Sequence, residues 1–269
     1  MEEIKYISSL QNSLVKKVIL LKEKSRERKK EGLFVIEGLR ELELALKGDY
    51  VFNSVFFYSS IISKNEVLTL FCNQDCTYEL IEVSKEVYQK IAYRETTEGI
   101  LAIAKVKPHA LNQLNLKKEN ALVLVAEAPE KPGNIGALLR TADAANIDAI
   151  IIANPKSDLY NPNIIRSSVG CIFTNTVVTG STTEVIDFLT KNNINIYCAA
   201  LSASKSYIRT DFTKSAAIVV GTEATGLSNE WLENSTQNII IPMEGEIDSM
   251  NVSVSAAILI FEAKRQRNL

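Results

Sequence analysis

The chain has 269 residues, 30 Lys and Arg against 32 Asp and Glu, and 46% hydrophobic residues. This is ordinary globular usage and excludes a disordered, collagenous or low-complexity protein. The formal net charge of -2, taken over the whole chain, argues against a nucleic-acid partner, an inference that depends on where the charges lie.

The length fits one large domain or two of ordinary size. No apolar run approaches the ~18 to 20 residues of a membrane span. The opening MEEIKYISSLQNSLVKK has no apolar centre of the kind a signal peptide needs, so a cytoplasmic protein without a membrane partner is expected. Cys72, Cys76, Cys171 and Cys198 are too scattered for a disulfide framework. A zinc site takes about four ligands and His109 is the only histidine, so no metal is expected.

In chain order, LVKKVILLKEKSRERKK reads as one amphipathic helix and residues 33–38 (LFVIEG) as a buried strand. LRELELALK follows as a helix with Leu39, Leu42 and Leu46 on one face, and residues 51–59 and 100–106 are further strands. These predict a small α/β unit over residues 1–106. Residues 107–118 are polar, carry Pro108 and lack an apolar period, so they read as a linker. A second unit, 119–269, opens with a buried strand, ALVLVAEAP. PGNIGALLRTADAANI then reads as a loop feeding a helix, with Asn134 as its N-cap. DAIIIANP, INIYCAAL, AAIVVGTE and QNIIIPM are continuous apolar runs, as in a parallel sheet covered by helices on both faces. NVSVSAAILIFEAKRQR reads as a closing helix whose Lys264, Arg265 and Arg267 suit its C-terminal dipole.

The charges divide along the same line. Residues 1–118 hold 19 Lys and Arg and 16 Asp and Glu, net +3, and residues 119–269 hold 11 and 16, net -5. Between Lys16 and Lys30 lie eight cations (Lys16, Lys17, Lys22, Lys24, Arg26, Arg28, Lys29 and Lys30) against Glu23 and Glu27. Such a run either neutralises RNA phosphates or is a solvated helix face.

Three segments follow strands of the second unit, where α/β sheets place ligands: Pro132 to Ala142, Val220 to Ser228, and Ile241 to Ser253. In the first, Asn134 and Arg140 stand about two helical turns apart. Arg140, set among Leu138, Leu139, Ala142 and Ala145, has a fork suited to a carboxylate or phosphate. In the second, Gly221 lets a ligand approach the backbone or simply makes a turn. Glu223 is placed to accept from Arg140 or from a ligand. In the third, Ile241, Pro242 and Met243 offer an apolar surface to a flat ring, and Ser249, Asn251 and Ser253 form a polar cluster at the start of the last helix. Triphosphate and dinucleotide loops and the hydrolase elbow are missing from the sequence.

N-x-G-x-x-x-R-x-A, then V-G-x-E-x-x-G-L-S, then I-P-M-x-G-x-x-x-S-M-N-V-S, before a C-terminal helix, resembles the SpoU/TrmH group of SPOUT methyltransferases over roughly residues 119–269. Met250 stands where the group more often has leucine. Residues 1–106, with FVIEGLRELELAL, resemble the ribosomal-protein-L30e-like substrate-binding domain that often precedes it.

The resemblance implies an α/β fold: a mostly parallel sheet with helices on both faces and a deep C-terminal trefoil knot, after a small L30e-like α/β domain. It implies a homodimer that transfers a methyl group from S-adenosylmethionine to a ribose 2′-hydroxyl of RNA. The expected target is 23S rRNA; a tRNA target and a non-catalytic L30e-like RNA-binding protein are the alternatives. By position, Gly221, Ile241, Met243, Met250 and Ala200 would line the cofactor crevice. Arg140, Glu223, Asn134, Asn251 and Ser253 would carry catalysis, with Arg140 drawn from the other subunit. A free guanidinium is a poor base at neutral pH, so Arg140 is expected to bind a phosphate and stabilise developing charge.

Overall fold

Unbroken apolar runs become the strands of two sheets in the computed structural model, which describes residues 4–72, 78–93, 98–116, 119–201, 205–222 and 225–267. Two compact units result. One comprises Met1–Lys107 with Asp158–Thr174, the other Pro108–Ser157 with Asn175–Leu269.

The first unit contains β1 (Lys5–Ile7), α1 (Ser13–Glu23), α2 (Ser25–Glu31), β2 (Leu33–Glu37), α3 (Leu39–Lys47), β3 (Phe52–Phe57), α4 (Lys64–Leu70), β4 (Glu79–Val83), α5 (Lys85–Ile91) and β5 (Ile100–Lys105). The sheet order is β1-β4-β3-β5-β2, with β1, β4 and β3 parallel and β5 antiparallel to both β3 and β2. Its core joins Val15, Val18 and Leu21 of α1 to Val35, Phe56, Ile81 and Ile103.

The expected single helix over residues 14–30 is two. Lys24 is extended, at φ -116° and ψ 109°, and separates α1 from α2. The break lets Arg28 turn back, so that its Nη1 donates to the carbonyls of Leu21 (2.6 Å) and Lys22 (3.2 Å), which the end of α1 would otherwise leave open. Arg28 is 3% exposed and pairs with Asp158. In α3 the buried positions are Leu42 and Ala45, with Leu39 and Leu46 half-buried at the margins.

The second unit, together with the segment returned to the first, contains β6 (Leu122–Glu127), α6 (Pro132–Ala144), β7 (Ala149–Ala153), α7 (Pro162–Ser167), β8 (Val177–Gly180), α8 (Thr182–Lys191), β9 (Asn195–Ala199), β10 (Lys205–Ser206), β11 (Ala216–Val220), α9 (Asn229–Glu233), β12 (Gln237–Ile240) and α10 (Val252–Gln266). The sheet order is β10-β12-β9-β11-β6-β7-β8, all parallel. Every residue of β6, β7 and β11 is buried, as a sheet covered on both faces requires. Val185, Leu189 and Trp231 of α8 and α9 pack on Val123, Val125, Ile151 and Val219, while α6 and α10 pack on each other and on β7 and β11. Residues 108–114 lie against this sheet: His109 O accepts from Thr179 N, and Leu114 joins the core.

The Asp158–Thr174 segment, α7 included, helps build the first unit's core. Tyr160 stacks on Phe34 at 4.2 Å between centroids, and its hydroxyl lies 3.1 Å from that of Tyr50. Phe173 meets Tyr50 edge-on at 5.0 Å.

Candidate functional site

The C-terminal ends of β9, β11 and β12 lie side by side in the second unit's sheet. The segments that leave them enclose a cleft of about 710 Å3. Seven of the residues singled out from the sequence line it: Ala200, Gly221, Ile241, Met243, Ser249, Met250 and Asn251.

Its wall after β11 is a tight loop. Thr222 and Gly226 exchange backbone hydrogen bonds of 3.0 and 3.1 Å, and the hydroxyls of Thr222 and Thr225 lie 2.8 Å apart. A Cβ on Gly221 would lie 2.2 Å from the carbonyl carbon of Gly226. Glycine at 221 is therefore required by the loop's own opposite side, beyond any ligand. Gly226 adopts φ +69°, and a Cβ there would meet nothing within 4 Å. The loop thus turns bare backbone towards open space. The second motif spells Gly226 and Leu227 as well as Gly221, but the sequence gives no role to these two or to Thr222 and Thr225, which line the same wall. The pair of glycines five residues apart was the available signal. Asp248 and Leu201 also line the cleft, although no motif reading points to them.

The polar side is built by two helix N-termini. Asn251 is the N-cap of α10; its Oδ1 accepts from Ser253 N at 2.9 Å and Ser253 Oγ at 2.6 Å. Its Nδ2 donates to Asn134 Oδ1 at 3.1 Å. Asn134 itself is not a cap, contrary to the sequence expectation. Lys131 is the N-cap of α6 and Pro132 its first residue, so Asn134 is the third residue of the helix, within its first turn. Proline's fixed φ suits that first position, which extends the helix back over the stretch that reads as loop. The structure therefore links Asn134, Asn251 and Ser253 in one chain of hydrogen bonds that reaches the cleft through Asn251.

Arg140 is not brought to that chain. It is exposed on the far half of α6 and makes no ion pair among the described residues. Glu223 lies outside the described residues. Among the described residues there is no group of three or more side chains able to hold a metal ion.

A family model described as SpoU rRNA Methylase family matches residues 121–261, and one described as MRM3-like substrate binding domain matches residues 12–102. The 23S rRNA (guanosine(2553)-2′-O)-methyltransferase RlmP of Bacillus subtilis is 30% identical over 261 residues, covering 97% of this chain and 100% of that protein. A crystal structure of an RNA 2′-O ribose methyltransferase is 35% identical, with a TM-score of 0.83 over 98% of this chain and 100% of the other. The SpoU methyltransferase AviRb from Streptomyces viridochromogenes, solved in complex with AdoMet, shares the fold at 24% identity, with a TM-score of 0.86 over 96% of this chain and 98% of that one. The chain belongs to the SpoU rRNA methylase family.

Proposed function

We propose that the chain is a ribose methyltransferase that uses S-adenosylmethionine to methylate a 2′-hydroxyl of 23S rRNA. The carrying observation is the cleft at the ends of β9, β11 and β12, walled by bare backbone, apolar side chains and a polar rim, and joined through Asn251 to Asn134 on α6. Relatives support the target, since the Bacillus subtilis protein is named for a 23S rRNA guanosine.

The cleft fits the cofactor. Its volume lies within the usual range for small-molecule sites. Ile241, Met243 and Met250 suit a flat ring, and Gly221 and Gly226 leave the main chain bare for polar contacts. Bound there, S-adenosylmethionine supplies an electrophilic methyl group on a cationic sulfur. The chain's own residues then have two tasks. Asn134, Asn251 and Ser253 hold the ribose and its phosphate at the cleft's polar side. Arg140 binds the neighbouring phosphate and stabilises charge that develops as the hydroxyl loses its proton, with the phosphate as proton acceptor. Glu223 orients Arg140 or the ribose.

Arg140's exposure supports action on the cleft of a second copy. On α10, Val254, Ile258 and Phe261 share one face, and Val254 and Phe261 are 47% and 45% exposed. An apolar stripe of this kind suits a homodimer interface. We assign the first unit, residues 1–107 with 158–174, to substrate binding and the second, residues 108–157 with 175–269, to catalysis, with the chain from β11 to α10 tied as a trefoil knot. No helix among the described residues is long and apolar enough to cross a membrane, in keeping with work on ribosomal RNA in the cytoplasm.

Mapping 2′-O-methyl sites in cellular RNA with and without the protein tests the target; a lost site in tRNA instead of 23S rRNA would reassign it. Arg140→Ala should lower turnover by about 100-fold or more while calorimetry finds its affinity for S-adenosylmethionine nearly intact. Unaltered turnover would remove Arg140 from the mechanism.

A further inference from the structure

Glu127, the last residue of β6, is a buried carboxylate that the mechanism above does not use. It is 7% exposed, and among the described residues no Lys or Arg pairs with it. A carboxylate so placed is tolerable only if donors surround it. Its Oε1 accepts from the hydroxyls of Thr182 at 3.0 Å and Ser228 at 2.7 Å, and its Oε2 accepts from the Ser228 N–H at 2.8 Å. The Thr182 hydroxyl also accepts from Asn154 Nδ2 at 2.8 Å, so its one proton is committed to Glu127.

Ser228 shows what the carboxylate is for. It is the N-cap of α9, where a serine hydroxyl ordinarily accepts from a backbone N–H of the first turn. Here no such side-chain cap bond forms. Ser228 instead gives both its hydroxyl and its N–H to Glu127. That grip lies at one end of the loop from Gly221 to Leu227. The other end is held by the ladder of β11 on β6, in which Val220 pairs with Ala126, the residue before Glu127. The two ends of the cleft's glycine-rich wall are thus fixed to neighbouring residues of β6, one to Ala126 and the other to Glu127. Neither Glu127 nor Ser228 lines the cleft itself.

We propose that Glu127 is a positioning residue for the methyl-donor site, holding Ser228 so that the adjoining Thr225, Gly226 and Leu227 keep the place in the cleft wall that binds S-adenosylmethionine. This rests on the reading of the cleft as the cofactor site. Glutamine at 127 keeps size but turns an NH2 group towards donors, so the loop's anchor is weakened without an empty space.

The test is calorimetric titration of the full-length chain with S-adenosylmethionine, alongside thermal melting and steady-state kinetics. Glu127→Gln and Ser228→Ala should each weaken binding about tenfold, the order expected for losing a hydrogen bond to a buried charge. Combining them should add little, because both remove the same grip. Ser228→Thr, which keeps the hydroxyl and N–H, should restore affinity. KM for the cofactor should rise while KM for RNA holds. Wild-type affinity in Glu127→Gln and Ser228→Ala, with or without a lower melting temperature, overturns the proposal. Ser228→Ala decides alone if Glu127→Gln fails to fold. Failure of the unmodified chain to bind S-adenosylmethionine overturns the cofactor reading and this inference with it, an outcome separate from equal binding by all variants.

Discussion

Cys198 lies in β9 with its thiol donating to the Trp231 carbonyl at 3.4 Å. Burial, and after it the charge of Glu127, pushes this thiol up from 9.0 to about 12. An unfolded thiol loses its proton near 9 while the folded one keeps it, so this group lowers stability as pH climbs from 9 towards 12 and has no such effect below 9. Buried Tyr88, also pushed up to about 12, acts in the same direction. Urea midpoints below pH 9 and at about pH 11 should therefore fall less in Cys198→Ala than in the parent chain; parallel declines would refute the assignment. Single residues were unevenly legible in the sequence. Gly221, Met243, Met250 and Asn251 stand in motifs, and the cleft holds all four. Asn134 was visible as a polar residue beside proline, but its partner is 117 positions away, a distance no local pattern reports. Arg28 looked like one more surface cation because its anionic partner, Asp158, lies 130 residues on.

Elements were more legible than residues where one period dominates. The fully buried strands β6, β7 and β11 read directly from their unbroken apolar runs. Short amphipathic pieces such as β1, β4 and α4 did not, since a few residues carry too little periodicity. The closing helix is an instructive middle case. Its extent was plain, and its terminal cations suggested a dipole effect. Yet Arg267 serves as an anchor: Nε donates to Phe212 O at 2.7 Å, Nη1 to Asn120 O at 2.8 Å, and Nη2 to Lys214 O. Gln266 adds a bond from Phe212 N at 2.8 Å and one to Thr210 O at 2.9 Å. The end of α10 is thereby held to the segments that lead into β11 and β6. Arg267→Ala should lower unfolding free energy by about 2 kcal/mol in a denaturant titration, the loss of several carbonyl bonds partly replaced by water. Arg267→Lys should recover little, because one ammonium cannot span three carbonyls at fixed angles. Equal stability of all three chains would make the anchor idle.

At the scale of the whole molecule, the net charge of -2 conceals a division into +3 and -5, and the structure divides the basic run again. Arg28 is buried, Lys17 pairs with Glu31 at 3.5 Å, and Lys30 lies 3.9 Å from Glu27 and 3.8 Å from Glu31. Lys16, Lys24, Arg26 and Lys29 are exposed and make no ion pair among the described residues. Reversing these four to Glu should weaken binding to a 23S rRNA fragment and lower the slope of log affinity against log salt by about 3. Reversing Lys17 and Lys30, already partly neutralised, should change it less. An unchanged slope in the fourfold variant would return this run to a solvated surface. The Asp158–Thr174 segment has a consequence of another kind. It is encoded inside the half of the chain that matches the methylase family, yet Tyr160 and Phe173 fill the centre of the unit that matches the substrate-binding domain. The first unit is therefore not an exchangeable cassette. A recombination event that replaced residues 1–107 alone would strand two aromatic side chains and leave Asp158 without its cation. Substrate domains in such an arrangement can be swapped in evolution only together with a stretch spelled fifty residues downstream.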